Sequence, residues 1–418
     1  TDSLLVIDKF QLAYQDHFLI NPSKLTLNFS NGKLSIKPFE LHVDDGVIEG
    51  YFETNPFMGK IKFSNVTTDL LSLLNISGSD RISGSLFGEI NFPKDTKLDK
   101  IKFDFSLKEG SLINQPFNDL RVDAFYENGA ISIDTLSLIY EDKSSFFISG
   151  NIPYPFDLLK PQQAKLVSIY KNIDLSFLSN ISNDYLSRIK GQFTGSFNIS
   201  GITSKTEYNL DGQIDNAYWG RLPLGKVTGN GFYKNKKLTF ENFSSSNGKN
   251  QLTGNAKIPV DLDLISRSRK ISPNAEIELN SEGSFRSAEF ISAYISEVDS
   301  IIGNVDINLS IGGPRKSLKR NGNIVISNTS VYNILMDEPV ERIGAEAQLI
   351  NNLLTIKSFE GSLSNPIERK IESNNFSLSG DIDFTKFFEP RYNIKANGKN
   401  IFFRSLNQDI ESYADVEV

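Results

Sequence analysis

Residues 101–107, IKFDFSL, put Ile101, Phe103, Phe105 and Leu107 on one side of an extended chain and Lys102, Asp104 and Ser106 on the other. The same two-residue alternation returns throughout. Leu86, Gly88, Ile90 and Phe92 alternate with polar neighbours, as do Leu120, Val122, Ala124 and Tyr126. Phe193, Gly195, Phe197 and Ile199 follow, then Val305, Ile307, Leu309 and Ile311, then Phe376, Leu378, Gly380 and Ile382. A chain built this way folds only if its many apolar strand faces find cover. Few stretches have the helical spacing that would supply it.

Turn signals punctuate the strands: Asn31-Gly32, Glu109-Gly110, Asn128-Gly129, Asn247-Gly248, Asn321-Gly322 and Asn397-Gly398. Each suits a tight turn with a residue at positive φ, so the reading is an antiparallel meander of short strands, about ten residues per strand and turn. A longer period of about 110 residues overlies this one. RISGSLFGEINF (81–92), IKGQFTGSFNIS (189–200) and IIGNVDINLSIG (301–312) read as copies of one strand. FFISGNI (146–152), NQLTGNAKI (250–258) and FSLSGDIDF (376–384) correspond further on. A helical spacing precedes each copy, at 67–77, 174–189 and 287–302, and opens another at 400–413. In the third, Phe290, Tyr294, Val298 and Ile301 form one stripe. The expected organisation is therefore 1–57, the end of a preceding repeat; 58–163, 164–273 and 274–390, three repeats of one continuous structure; and 391–418, the start of another. The chain begins at Thr1 and stops inside an apparent element, ESYADVEV, so it reads as a fragment of a longer protein.

Composition excludes whole classes of chemistry. There is no cysteine, hence no disulfide, thiolate metal site or cysteine nucleophile. A net charge of −7 over 418 residues argues against a nucleic-acid or polybasic membrane platform. The basic stretches Arg267–Lys270 and Arg315–Arg320 read as solvated connections. No apolar run approaches the roughly 18 residues of a membrane helix. The two histidines, His17 and His42, lack a carboxylate or second histidine at ligand spacing and read as surface residues. Asp261-x-Asp263 and Asp381-x-Asp383 are expected to line a solvent face, because no glycine-containing oxygen-rich loop follows. Gly312-Gly313-Pro314-Arg315-Lys316-Ser317 lacks the glycine before lysine that a phosphate loop needs. Trp219 reads as core. The inventory argues against an enzyme and calls for no cofactor or metal, although two carboxylates brought together from distant strands would escape this reading.

Three folds cover one face of a long meander: stacked sandwiches, a membrane barrel, or a sheet bent along its length into a trough. The barrel fits poorly, since clean alternation spans five to eight residues and Phe (31) outnumbers Tyr (14) and Trp (1). Sandwiches fit the repeat length but call for linkers that the sequence does not show.

The order of elements, a helical stretch, ISGSLFGEI, KEGSLINQPFNDLRV and NGAISIDTLSLIYEDKSSFFISGNI, with two later copies, resembles the TamB and AsmA-like family from about residue 58 onward. The resemblance implies a mainly β fold: an elongated, continuous, strongly twisted antiparallel sheet bent into a U-shaped trough, with about one short helix per repeat. It also implies a periplasmic protein anchored to the inner membrane by a part outside this chain. Its role would be to carry phospholipids towards the outer membrane, or to assist outer-membrane protein assembly beside a β-barrel of the Omp85 type, without catalytic residues. On the alternating registers, Phe103, Phe105, Leu107, Phe193, Phe197, Ile199, Val305, Ile307, Leu309, Phe376 and Leu378 are expected to line the groove. The inward glycines Gly88, Gly195 and Gly380 either bend the sheet, make room for acyl chains or mark bulges. A structural stalk or adhesin of stacked sandwiches is the other function these residues allow.

Overall fold

A computed structural model describes residues 2–14, 16–70, 81–95, 100–112, 115–140, 144–155, 160–177, 188–220, 222–266, 271–287, 298–333, 339–363, 375–386, 389–404 and 411–417. The chain divides into two units, Thr1–Ile173 with Phe193–Leu210 and Asp263–Ile265, and Asp174–Gln192 with Asp211–Leu262 and Ser266–Val418. Both are β throughout, with antiparallel pairing.

The first unit carries β1 (Ser3–Ile7), β2 (Gln11–Tyr14), β3 (His17–Ile20), β4 (Leu25–Ser30), β5 (Lys33–Val43), β6 (Gly46–Thr54), β7 (Phe57–Thr67), β8 (Ile82–Asp95), β9 (Lys100–Leu112), β10 (Gln115–Glu127), β11 (Ala130–Tyr140), β12 (Ser145–Pro153) and β13 (Gln163–Asp174). From β5 to β13 every strand pairs with the next. On its other side β5 pairs with β4 along one half and with β3 at its end, and β1 and β2 lie beyond these. Residues of β14 (Ile189–Ile202) and β15 (Lys205–Trp219) fall in both units.

The second unit continues with β16 (Leu222–Lys234), β17 (Lys237–Asn247), β18 (Asn250–Pro259), β19 (Glu276–Ser287), β20 (Val298–Pro314), β21 (Lys319–Asn333), β22 (Val340–Ile350), β23 (Leu353–Leu363), β24 (Phe376–Asp383), β25 (Arg391–Arg404) and β26 (Glu411–Glu417). These too pair in strict succession. Among the described residues no Greek-key crossing occurs in either unit, and no pairing closes either one into a barrel.

Several expectations give way. Most strands run well beyond the five to eight residues of clean alternation, reaching 17 in β20, because β-bulges interrupt the alternation inside single strands. Glu109-Gly110 is such a bulge rather than a turn: Glu109 has φ +50°, and β9 slips one residue against β8 there. Asn321-Gly322 and Asn397-Gly398 also lie within strands, where the neighbouring chain passes too close for a side chain on Gly322. Asn31-Gly32, Asn128-Gly129 and Asn247-Gly248 do stand at hairpin tips. Of the four helical stretches, 71–80, 178–187, 288–297 and 405–410 lie outside the described residues. Their described ends are 3-10 turns at 68–70 and Leu175–Phe177, or strand. Val298 and Ile301 belong to β20, paired with Asn333 and Val331, and Ile401 pairs with Ala414. Ladder hydrogen bonds to neighbouring strands outweigh the local helical spacing there.

The bulges line up across neighbouring strands, and a bulge bends the strand that carries it. In a regular strand, residues five apart point to opposite faces. Leu107 and Leu112 nevertheless join one cluster, because the Glu109 bulge between them reverses the parity. Ile326 and Val331 do the same across the bulge at Asn328, φ +48°. The result is a crease with its own packed core. In the first unit it is the row Val66, Leu86, Leu107, Leu120 and Leu138, each directly opposite the next, with Phe117 closing over it. In the second it is Phe285, Val305, Ile326, Ala345 and Phe359, joined by Ile301, Val340, Ile343 and Leu363. Burying each of the larger side chains contributes on the order of 1.5–3 kcal/mol.

Candidate functional site

Beside each crease run further apolar rows on the same face. One row in the first unit reads Leu41, Ile48, Phe63, Gly88, Phe105, Val122, Leu136 and Ile148. The next reads Phe39, Gly50, Ile61, Ile90, Phe103, Ala124, Ile133, Gly150 and Leu166. In the second unit Leu252, Gly283, Ile307, Ile324, Ala347, Ile356, Gly380 and Ile394 form one row. Leu309, Gly322, Leu349, Leu354, Ile382 and Tyr392 form another.

Apart from Ala124 and Leu354, these side chains are not buried. Phe103, Phe105, Phe193, Phe197, Ile199, Ile307, Leu309, Phe376 and Leu378 are all half-buried, while Leu107 and Val305 sit at 6% and 1% exposure in the creases. Ile394 and Tyr392 reach 38% and 56%. The whole chain exposes 25,065 Å². Even two separate compact globules, each of half its mass, would expose together only about 19,500 Å².

Glycine and phenylalanine alternate across these rows for a steric reason. Phe243 lies over Gly254, its ring 2.5 Å from where a Cβ would stand; Phe240 covers Gly231 and Phe285 covers Gly283 in the same way. A ring that lies along the sheet over a glycine covers backbone without standing up from the surface. Gly88, at φ +134°, faces the backbone of Asp104 and Phe105 so closely that no side chain fits. Gly50, Gly150, Gly254 and Gly380 share one setting, each opposite a strand whose register slips by a residue beside it. Bulge and bend are thus one device, and a copy of it that the repeat pattern showed only faintly is present at Gly50.

The opposite face is charged. Lys62 pairs with Glu49 at 2.8 Å, Lys60 with Glu89 at 2.6 Å and Lys257 with Glu278 at 3.1 Å. Lys60, and then Asn91, hold the Glu89 carboxyl below its ordinary range.

Some of the polar residues singled out in the sequence have partners or settings that local spacing did not show. His17 is held between Asp44 (2.6 Å from Nδ1) and Asp69 (3.2 Å from Nε2), partners 27 and 52 residues away that local spacing could not reveal. The Asp44 hydrogen bond chiefly raises the imidazole pKa, burial opposes it, and Asp69 adds to it. His42 meets Glu40 at 2.5 Å. Asp263 does not line a strand face: it is 6% exposed, beyond the end of β18, and accepts the Thr206 N–H at 3.0 Å. Asp261 pairs with Lys236, and Asp381 accepts from the Thr355 hydroxyl. Trp219 is half-buried at the end of β15. The N–H groups of Arg315 and Lys316 donate to the Ala275 and Pro273 carbonyls, which leaves no anion cradle in that loop. Arg267–Lys270 lie outside the described residues. Among the described residues no three potential metal ligands gather, and no helix is long and apolar enough to cross a membrane.

The fold defines a class: an antiparallel meander not closed into a barrel, whose described apolar residues are packed most fully along the creases and half-buried in the rows beside them. No family model, no curated protein and no solved structure matches the chain.

Proposed function

We propose that the half-buried apolar rows of each unit hold the acyl chains of phospholipids, and that the protein moves lipid between the inner and outer membranes of an envelope without chemistry of its own. One observation carries the reading: rows of Phe, Ile, Leu and Val, interspersed with Gly and Ala, that run from strand to strand and stay partly open. The longest of these rows, Phe39 to Leu166, crosses the nine strands β5–β13 and runs about 38 Å at ~4.8 Å per strand. Exposed apolar area on that scale normally serves a partner. Each CH₂ that moves along such a row keeps its ~0.8 kcal/mol wherever it rests, so sliding meets little resistance. Rings laid flat over glycines favour sliding further, since they leave few steps in the surface. Under this reading the protein lies in the periplasm, held to the inner membrane by a part outside this chain, and an outer-membrane β-barrel receives the lipid or is assembled with it.

The test is mass spectrometry of lipid that co-purifies with detergent-free protein, together with photo-crosslinkers. Crosslinkers at Phe197 and Leu309 are expected to capture lipid, and those at Lys62 and Asp306 on the charged face are not. Leu309→Asp is expected to lower retained lipid while the β circular dichroism persists. Lipid-free protein, or capture only from the charged face, would overturn the proposal and favour a structural stalk.

A further inference from the structure

The β17–β18 hairpin tip and the end of β19 enclose a rim cavity of about 200 Å³, lined by Asn247, Gly248, Lys249, Asn250, Arg286 and Ser287. Its construction starts with the two-residue turn Gly248-Lys249, in which Gly248 takes φ +61°. Asn250, 9% exposed, then ties the hairpin to β19. Its Oδ1 accepts the N–H groups of Arg286 (2.8 Å) and Ser287 (3.1 Å), and its Nδ2 donates to the Ser287 carbonyl (2.8 Å) and hydroxyl (3.2 Å). One buried amide therefore fixes both walls, so that Lys249 and Arg286 share a mouth whose position does not depend on either of them.

Among the described residues the lining holds two cations and no acid. Among the described residues neither Lys249 nor Arg286 makes an ion pair. Some lysines of the sheet do pair across strands, as Lys257 does with Glu278 on the same two strands. The nearest acid along β19, Glu282, lies further back and exposed. Apolar surface lies close to this mouth: Leu252 follows Asn250 on the same side of β18, and Phe285 precedes Arg286 on β19, its side chain on the opposite face of that strand.

We propose that this rim cavity binds a phosphate ester, the anionic head group of a lipid whose chains lie on the rows starting at Leu252 and Phe285. The proposal rests on the lipid-holding reading of those rows. An Arg and a Lys lining one small cavity suit a phosphate, the first able to act as a two-point donor and the second as a point charge. Ser287 Oγ and the Asn247 side chain supply further polar contacts. The site would make the protein select anionic over zwitterionic lipid at this position, whereas the apolar rows by themselves discriminate little.

The experiment incubates the full chain with vesicles of phosphatidylcholine alone, or of phosphatidylcholine mixed equally with phosphatidylglycerol, and quantifies the lipid retained after separation. A parallel arm titrates inorganic phosphate calorimetrically. Lys249→Glu combined with Arg286→Glu tests the site, and Lys249→Gln with Arg286→Gln separates lost attraction from added repulsion. Both residues are exposed, so the fold tolerates either pair. The expected result is enrichment of phosphatidylglycerol by the parent chain, reduced about tenfold by charge reversal and less by neutralisation, with phosphatidylcholine retention unchanged. Equal enrichment by parent and variants overturns the head-group site but leaves the lipid reading standing. No lipid retained by any chain, with saturable inorganic phosphate binding that the double Glu variant abolishes, overturns the lipid reading and reduces the cavity to a free-phosphate site.

Discussion

The crease and the rows beside it are built from the same residue types on the same strands, yet they serve opposite ends. Leu138, at 0% exposure, is enclosed by Leu120, Phe146 and their neighbours. Ile394, as apolar but paired among the described residues with Gly380 alone, stays 38% exposed. Composition does not separate them; strand pairing and the bulges do. Where Glu109 or Asn328 reverses the parity of a strand, apolar residues from both sides of the bend converge and fill the space. Where the strand runs regularly, the same side chains stand in a single layer. Core and candidate binding surface are thus two outcomes of one alternating sequence, sorted by backbone irregularity.

The sharpest way to break this comparison is to empty the crease. Leu138→Ala is expected to cost about 2–5 kcal/mol, read from denaturant unfolding, because the packed surroundings cannot collapse into the void. A loss below that of Ile394→Ala would mean that the crease is not the core. Next comes the backbone contact that keeps the rows flat. A side chain at Gly254 would meet both the Asn280 carbonyl and the Phe243 ring, so Gly254→Val should cost roughly 1–3 kcal/mol and expose Phe243 to solvent quenching probes. Ile394→Ala, on an open row, should cost less than about 1 kcal/mol, since much of the side chain is already wet.

A smaller effect comes from the rim, where His17 joins the end of β3 to the β5–β6 turn and to Asp69. Its folded pKa lies above the ordinary 6.5, so its contribution is complete below 6.5 and is lost as pH rises through the raised value. Asp44 is lowered, chiefly by the His17 hydrogen bond, so its contribution is present above the ordinary 3.8 and is lost as pH falls through the lowered value. The clasp is therefore strongest between the two ordinary values. His17→Gln should flatten the unfolding midpoint against pH on the alkaline side; an unaltered profile would remove the clasp from the account. The smallest effect is expected on the charged face: Lys62→Ala, which breaks an exposed pair with Glu49, should leave the melting temperature unchanged.

Much of this was legible beforehand. Ile101, Phe103, Phe105 and Leu107 do share a face, and so do Ile307 and Leu309, because a two-residue period admits one arrangement in a strand. Strand lengths and several turns were not legible. Glu109-Gly110 and Asn321-Gly322 carry the residues of a turn, but whether positive φ ends a strand or only bulges it depends on whether a neighbour continues to pair. Val298 and Ile301 matched a helical stripe until ladder partners claimed them. The His17 clasp and the Lys249–Arg286 cavity joined residues too distant in sequence for any spacing rule to pair.

By itself, then, the order of residues determined a β protein with one apolar and one charged face, since side-chain alternation is a local property of extended backbone. Only the tertiary structure decided which apolar residues became core and which stayed open. That choice depends on where bulges on neighbouring strands coincide, and their coincidence is a matter of register between segments that the chain brings together only on folding.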